Sequence, residues 1–506
     1  MEFSETLEHV INGFGVALQW KNVMFLFIGA LLGTIIGIMP GIGSSAGIAL
    51  LLPMTFGMEP IPSLIMLAGI YYGAMYGNTA SAVLINTPGT ASASMTTVDG
   101  YPMAKNGRAG AALAASAIAS FIAGTIGIIG LTFLAIPFTD FALKFGPAEY
   151  FMLMMFSMSA VSSLTGSSVP KGLFAAMFGL MISSMGMDLQ TGMPRYVFDI
   201  PELQTGISFL IVIVGAFAFA EVMLNVEKWF MGRLEPIKIQ GNLYLTLEEW
   251  KRCWKPIIRG GLIGFFIGVL PGAGGTIATV IAYSTEQKLS KFGHEFGKGA
   301  IEGVAAPEAA NNASTCGAFV PLLTLGIPGS GTTAVLLGAF ILFGLEPGAE
   351  LFETNPDLVW GLVDSMYLGN VFLIVMNLPL IGIFVRILYL PPGILLSIIL
   401  AVASVGIYSI NNNTTDLYLL LLFGVIGYGF RKVKVPIPPL ILGLVLGKLM
   451  ENSMRQALII SNGEISVFFT GSICITLFIL AISAMFLPIV ASRMRIGRER
   501  SLNADN

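Results

Sequence analysis

The sequence predicts an all-α polytopic membrane protein of about 10 to 14 transmembrane or re-entrant segments, arranged as two inverted repeats with Pro-Gly-broken helices. Three observations carry this. Of 506 residues, 55% are hydrophobic and 11% charged, whereas a soluble globular chain carries roughly 25% charged residues. Apolar runs long enough to span a bilayer follow one another from Asn22 to Val490. Two of them end in the same phrase: Gly29-xxx-Gly33-xxx-Gly37-xx-Pro40-Gly41-x-Gly43 aligns without a gap with Gly260-xxx-Gly264-xxx-Gly268-xx-Pro271-Gly272-x-Gly274.

Taken in order, residues 1–21 read as an interfacial helix, apolar at Phe3, Leu7, Val10, Ile11 and Phe14, and too acidic at its start for a secretory signal. Asn22–Met39 is the first span, and Ser44–Phe56 is short enough to be a half-helix. Ile61–Ile85 spans and runs into Asn86-Thr87-Pro88-Gly89-Thr90, followed by a polar run to Arg108. Spans over Ala109–Phe138, Ala148–Thr165, Gly172–Met187 and Gly206–Leu224 complete a first membrane repeat, residues 22–226. Residues 227–259 form a hydrophilic connector with seven Lys and Arg, which the positive-inside rule assigns to the cytoplasm. The second repeat with its additional spans covers 260–492: Gly261–Tyr283, a polar helix Ser284–Gly299, a long stretch from Ile301, then Ala334–Leu345, Leu358–Leu388, Pro392–Tyr408, Leu417–Phe430, Ile437–Met450 and Val467–Val490. Residues 493–506 are a basic tail, again expected in the cytoplasm.

The richest stretch is Ile301–Thr333. It brings Glu302, Glu308, Asn311, Asn312, Ser314, Thr315 and Thr324 into an apolar chain, with Pro307 expected in a first helical turn and Pro328 as the stop. Glu308, Asn312 and Thr315 fall on one helical face. Polar groups at membrane depth need a partner, a ligand or a water-filled cavity. Pro328-Gly329-Ser330 also aligns with Pro88-Gly89-Thr90, so each half owns two breaks. Paired interruptions of this kind point to a transporter's binding site. Five full-length spans lie between the copies, and an odd number favours inversion. Pro40 should then be related to Pro271, and Pro88 to Pro328, by a two-fold axis in the membrane plane, with the breaks converging near the bilayer midplane.

A broken helix exposes N–H groups, which suit a carboxylate, and C=O groups, which suit a cation. The expected substrate site is therefore Gly41, Gly43, Ser44 and Ser45; Asn86, Thr87, Pro88, Gly89 and Thr90; Gly272, Gly274, Gly275 and Thr276; Asn311 and Asn312; and Pro328, Gly329, Ser330, Thr332 and Thr333. Candidates for a coupling ion, Na+ or H+, are Asn311, Asn312, Glu308, Asp99 and Asp364, although an interfacial loop or helix-end charge is the plainer reading of Asp99. No catalytic residue, metal other than Na+, or organic cofactor is expected. The two histidines, His9 and His294, lie outside the apolar runs, and the three cysteines are scattered. A net charge of −3 argues against nucleic acid, and no Walker sequence occurs.

On the phrases LLPMTFGMEP, INTPGT, VDGYPMAKNGRAG, GVLPGAGGT, PEAANNA and LTLGIPGSGTT, the sequence resembles the large membrane subunit of the tripartite tricarboxylate transporters. It departs from the family pattern at Asn78-Thr79, where Gly-Ser is expected, and at Cys316, where a small residue is expected. The resemblance implies a multi-pass secondary carrier of the bacterial inner membrane. It implies two partners, a small integral membrane subunit and an extracytoplasmic solute-binding protein, and import of a citrate-like di- or tricarboxylate driven by Na+ or H+. The residues by themselves reach only a broken-helix transporter for a polar anion. The alternatives are an intramembrane enzyme, for which Asp188 with Asp364 is the available acid pair, and a non-transporting membrane scaffold.

Overall fold

The structure is a computed structural model, described for residues 3–39, 42–164, 168–188, 191–229, 239, 243–272, 274–389 and 392–486. Nearly all regular structure among these residues is helical, as the sequence predicts. Pro40, Gly41, the tail 493–506 and much of the connector lie outside the described residues.

The chain divides into two compact units, Met1–Ala142 with Leu210–Tyr428, and Leu143–Phe209 with Gly429–Asn506. The first unit holds the broken helices of both copies. In copy one, α1 (Phe3–Ala17) precedes α2 (Trp20–Ile38), the half-helix α3 (Gly43–Leu51), α4 (Pro60–Ile85), α5 (Ser94–Lys105) and α6 (Ala109–Ala142).

The second unit starts with α7 (Pro147–Leu164) and α8 (Val169–Ser183). The span expected to reach Met187 stops short, because Gly186–Met187 is a strand (β1) paired antiparallel with Pro194–Arg195 (β2). Asp188 beside this hairpin pairs with Arg195 and Arg455, and both arginines also pair with Glu451. Asp188 is thus a salt-bridged hairpin residue rather than one of two acids on adjacent spans.

The chain re-enters the first unit through α9 (Phe209–Ile213), a π-helical turn at Val214–Phe219 and α10 (Ala220–Trp229). Copy two then follows as α11 (Leu247–Val269), the half-helix α12 (Gly274–Leu289), α13 (Glu302–Leu325), α14 (Gly331–Leu342), α15 (Ala349–Thr354) and α16 (Pro356–Asn377). Helix α11 begins well inside the expected connector. Thr246 accepts from the Glu249 N–H in a capping box, Arg252 pairs with Glu302 and Glu295, and Arg259 pairs with Glu286. Those charges serve neighbouring helices instead of solvent alone. Helix α13 starts before Pro307, which lies inside it with Pro321, and it ends at Gly326 rather than Pro328. The expected polar helix Ser284–Gly299 is also displaced: α12 ends at Leu289, and turns lead into α13.

The run Leu358–Leu388 is interrupted after Asn377; α17 (Ile381–Phe384) is a separate turn beyond Pro379. Helices α18 (Pro392–Asn411) and α19 (Thr414–Lys432) close the first unit, and α20 (Ile437–Ile460) and a helix over Ser472–Phe486 belong to the second. Among the described residues, Trp20–Ile38, Ala109–Ala142, Phe209–Glu227 and Pro356–Asn377 are long and apolar enough to cross a membrane; Gly43–Thr55 and Gly331–Leu342 are apolar but shorter.

The two copies pack alike, for a reason written in their glycines. A Cβ at Gly29, Gly33 or Gly37 would overlap the carbonyl oxygen of Met66, Ile70 or Ala74 on α4. At the matched positions, a Cβ at Gly260, Gly264 or Gly268 would overlap the carbonyl oxygen of Ala306, Ala310 or Ser314 on α13. Small residues let backbones approach this closely, and close packing is what joins helices where lipid removes the hydrophobic drive.

Candidate functional site

Each long second helix ends the same way. Asn86 closes α4 at φ 54° with its N–H on the Ser81 carbonyl, and Gly326 closes α13 at φ 68° with its N–H on the Pro321 carbonyl. A left-handed cap satisfies a carbonyl that the ended helix leaves free. The chain then folds back onto its own first helix. Gly89 meets the Gly37 carbonyl so closely that a Cβ would collide with it, and a Cβ at Gly329 would stand 2.9 Å from the Gly268 oxygen. In copy two the Gly272 N–H donates to the Gly329 carbonyl across 3.1 Å. The half-helices open on matched glycines with positive φ, Gly43 at 75° and Gly274 at 56°.

The copies meet reciprocally, the first break of each against the second break of the other. At one junction, Ser44 and Ser45 at the start of α3 lie 2.8 and 3.0 Å from the Thr332 hydroxyl at the start of α14. Tyr71 of α4 reaches Ser330 at 3.2 Å, and Ser330 and Thr333 cap α14 through a capping box. At the other junction, a Cβ on Gly275 would stand 3.1 Å from the Ser92 Cβ, 3.1 Å from the Ser314 hydroxyl and 3.2 Å from Asn311 Oδ1. The internal match makes Gly275 the counterpart of Ser44, Ser92 of Thr332, and Asn311 of Tyr71. Behind Ser92 runs a relay: Asn78 Nδ2 donates to Thr90 Oγ1 at 2.6 Å, and Thr90 lies 2.9 Å from Ser92.

Not every expected residue reaches a junction. Asn86 and Thr276 are exposed, and the Thr87 hydroxyl bonds its own turn at Ile85. Asn312 turns the other way, donating to Ser120 on α6 at 2.7 Å. Glu308 is fully buried with hydroxyls on both oxygens: Thr79 donates at 2.8 Å, Thr96 donates to the other oxygen, and Ser116 backs Thr79 at 2.9 Å. Asp99 accepts from the backbone N–H groups of Gly297, Gly299 and Ala300 and from the Tyr283 hydroxyl, at 2.7–2.9 Å. Asp364 is buried against Gly13 of α1 and has no hydrogen-bond partner among the described residues. It faces the N-terminal helix rather than a break.

Tyr71, Asn78 and Ser92 fall outside the expected set. The internal match held the signal for two of them, since Tyr71 and Ser92 are the counterparts of Asn311 and Thr332. The residues at which the resemblance leads one to expect others are all bonded: Asn78 donates to Thr90, Thr79 to Glu308, and Cys316 lies 2.7 Å from the Tyr72 hydroxyl.

A protein of Agrobacterium vitis described as an uncharacterized 52.8 kDa protein in the TAR-I ttuC' 3' region is 44% identical over 488 residues, covering 96% of this chain and 97% of that protein. A second from the same organism, described as an uncharacterized protein in the TAR-II ttuC' 3' region, is 46% identical over 229 residues, covering 45% of this chain and 95% of its own length. No solved structure matches. The pattern of the Tripartite tricarboxylate transporter TctA family matches residues 23–442, so the chain belongs to that family.

Proposed function

We propose that this chain is the translocating subunit of a binding-protein-dependent secondary transporter that imports citrate-like di- and tricarboxylates across the bacterial inner membrane, driven by a Na+ or H+ gradient. The observation that carries the reading is the reciprocal meeting of the four breaks: half-helix starts from both copies surround hydroxyls and amides in one unit. Half-helix N-termini suit an anion, and a site shared between repeats is what rocking of one repeat against the other can expose alternately. Reciprocal contact is also the pattern of a two-fold relation. It supports two inverted repeats, residues 22–226 and 260–492, with the axis in the membrane plane and the breaks near its middle.

The partners are a small integral membrane subunit and an extracytoplasmic solute-binding protein that delivers the carboxylate. The connector 227–259 and the basic C-terminal tail face the cytoplasm. Asn312, Glu308 and Asp364 remain our candidates for carrying the coupling ion, and Asn311 we assign to the substrate. Asp99, with both oxygens already engaged, we assign as a brace for the turn before α13.

Reconstitution of the three components in proteoliposomes tests the reading. Uptake of a labelled carboxylate panel should require the binding protein and an imposed Na+ or proton gradient, with the solute chemically unchanged inside. Covalent change of the solute, or no uptake of any carboxylate under either gradient, would refute it.

A further inference from the structure

We infer that the junction at Gly275 recognises a 2-hydroxycarboxylate, with the carboxylate at the start of α12 and the adjacent hydroxyl donating to Asn311 Oδ1. The inference rests on the transport reading and concerns which anions this chain prefers.

Helix α12 has 16 residues, and its first-turn N–H groups lack acceptors within the helix. Helix α14, its neighbour in the second copy, has its own start capped by Ser330 and Thr333. Gly274 and Gly275 are only half-buried and Thr276 is exposed, so this helix start is reachable. It is the positive end of a helix dipole, which favours an anion.

The second observation is independent of the helix end. Asn311 is fully buried, and its Oδ1 has no hydrogen-bond partner among the described residues. Its orientation is set by Nδ2, which donates to the Met75 carbonyl at 3.3 Å. The neighbouring hydroxyls have also turned their hydrogens away. Ser314 donates to the Asn311 carbonyl at 2.8 Å, and Ser92 donates towards the Met75 sulfur at 3.6 Å. What packs against Gly275 therefore includes two oxygens whose hydrogens or donors are turned elsewhere, Asn311 Oδ1 and Ser314 Oγ, each within 3.2 Å of where a Cβ would stand.

Neither a plain carboxylate nor a bare cation satisfies both halves of this arrangement. Carboxylate oxygens match the helix start but meet lone pairs at Asn311; a cation matches the lone pairs but meets the positive helix end. A hydroxyl on the carbon next to a carboxylate supplies one donor beside one anion. A buried acceptor left without a donor costs free energy, so a site built for a substrate hydroxyl discriminates against the analogue that lacks it.

The test uses the reconstituted three-component transporter and two substrate pairs differing by one hydroxyl: malate against succinate, and citrate against tricarballylate. Uptake and membrane abundance are measured for the native chain and Asn311→Ala. The native chain should favour the hydroxylated member of each pair. Asn311→Ala should lower uptake of the hydroxylated member about tenfold more than uptake of its deoxy partner. The binding protein is the same in every sample, so a change of ratio belongs to this chain. If Asn311→Ala fails to reach the membrane, Ser314→Ala should lower the same ratio. An unchanged ratio at normal abundance would overturn the inference. So would a variant that shifts the Na+ dependence of both members equally, which would assign these acceptors to a cation. Absence of uptake of all four anions by the native chain would instead refute the transport reading beneath it.

Discussion

Ser44 and Gly275 occupy matched places in the two copies, one residue past the glycine that opens each half-helix. Where the serine stands, its hydroxyl closes on Thr332, Ser45 joins it, and Tyr71 holds Ser330 from behind. Where the glycine stands, the matched partners are Ser92 and Asn311, and the space between them holds no side chain from position 275. The matched glycine contacts and helix caps are thus shared while the hydrogen-bonding character has diverged. One junction is tied by its own hydroxyls; the other leaves its acceptors for something else. The turns flanking the copies diverge too. Asp99 fastens the turn before α13 with four donors, while its counterpart Ala339, equally buried, offers none.

The largest expected effect comes from erasing that second difference. Asp99→Ala strands three backbone N–H groups and a tyrosine hydroxyl, two of these donors buried (Ala300 N–H and Tyr283), and should cost about 1–3 kcal/mol of stability for each buried donor. Thermal unfolding of the detergent-purified complex would show it as a marked drop in melting temperature; an unchanged transition would mean the turn holds without Asp99. Next comes Gly275→Ser, which gives the second junction the residue of the first. The added atoms enter contacts already at 3.1–3.2 Å, and overpacking of about 1–3 kcal/mol predicts uptake reduced roughly ten- to hundredfold at normal abundance. Native uptake by this variant would place the cradle outside the transport path.

The reverse exchange, Ser44→Gly, should matter least. It removes one 2.8 Å hydrogen bond while Ser45 still reaches Thr332, so about 1 kcal/mol and a roughly fivefold loss of uptake are expected. The preference for hydroxylated anions should survive it. A collapse of that preference as large as the one expected for Asn311→Ala would show that the junctions do not differ as described.

Much of this was legible in the chain. Glycines spaced four apart before a proline announce close helix contacts and a break, and their gapless recurrence announces two copies. Ser44, Thr332 and Asn311 could be named, but not the crossing by which each copy's first break seeks the other's second, because no local pattern records it. Tyr71 in an apolar run reads as packing until its match with Asn311 is noticed. The donors to Asp99 are mostly backbone N–H groups around Gly297 and Gly299, which no side-chain motif advertises. Pro307 misled for a simple reason: proline favours a first turn, yet packing against α11 and α6 carries the helix upstream to Glu302 regardless.

The reciprocal junctions have a consequence for how such a protein can evolve. Two separate identical chains associating about a two-fold axis must present the same residue at both meeting points, so any substitution that improves one alters the other. Joined in a single polypeptide, the halves escape that bond. One position can keep a serine that stitches the halves together while its twin shrinks to glycine and lets unpaired acceptors close in on the helix start. Fusion of the two halves turns a symmetric pair of contacts into a hinge pin and a berth.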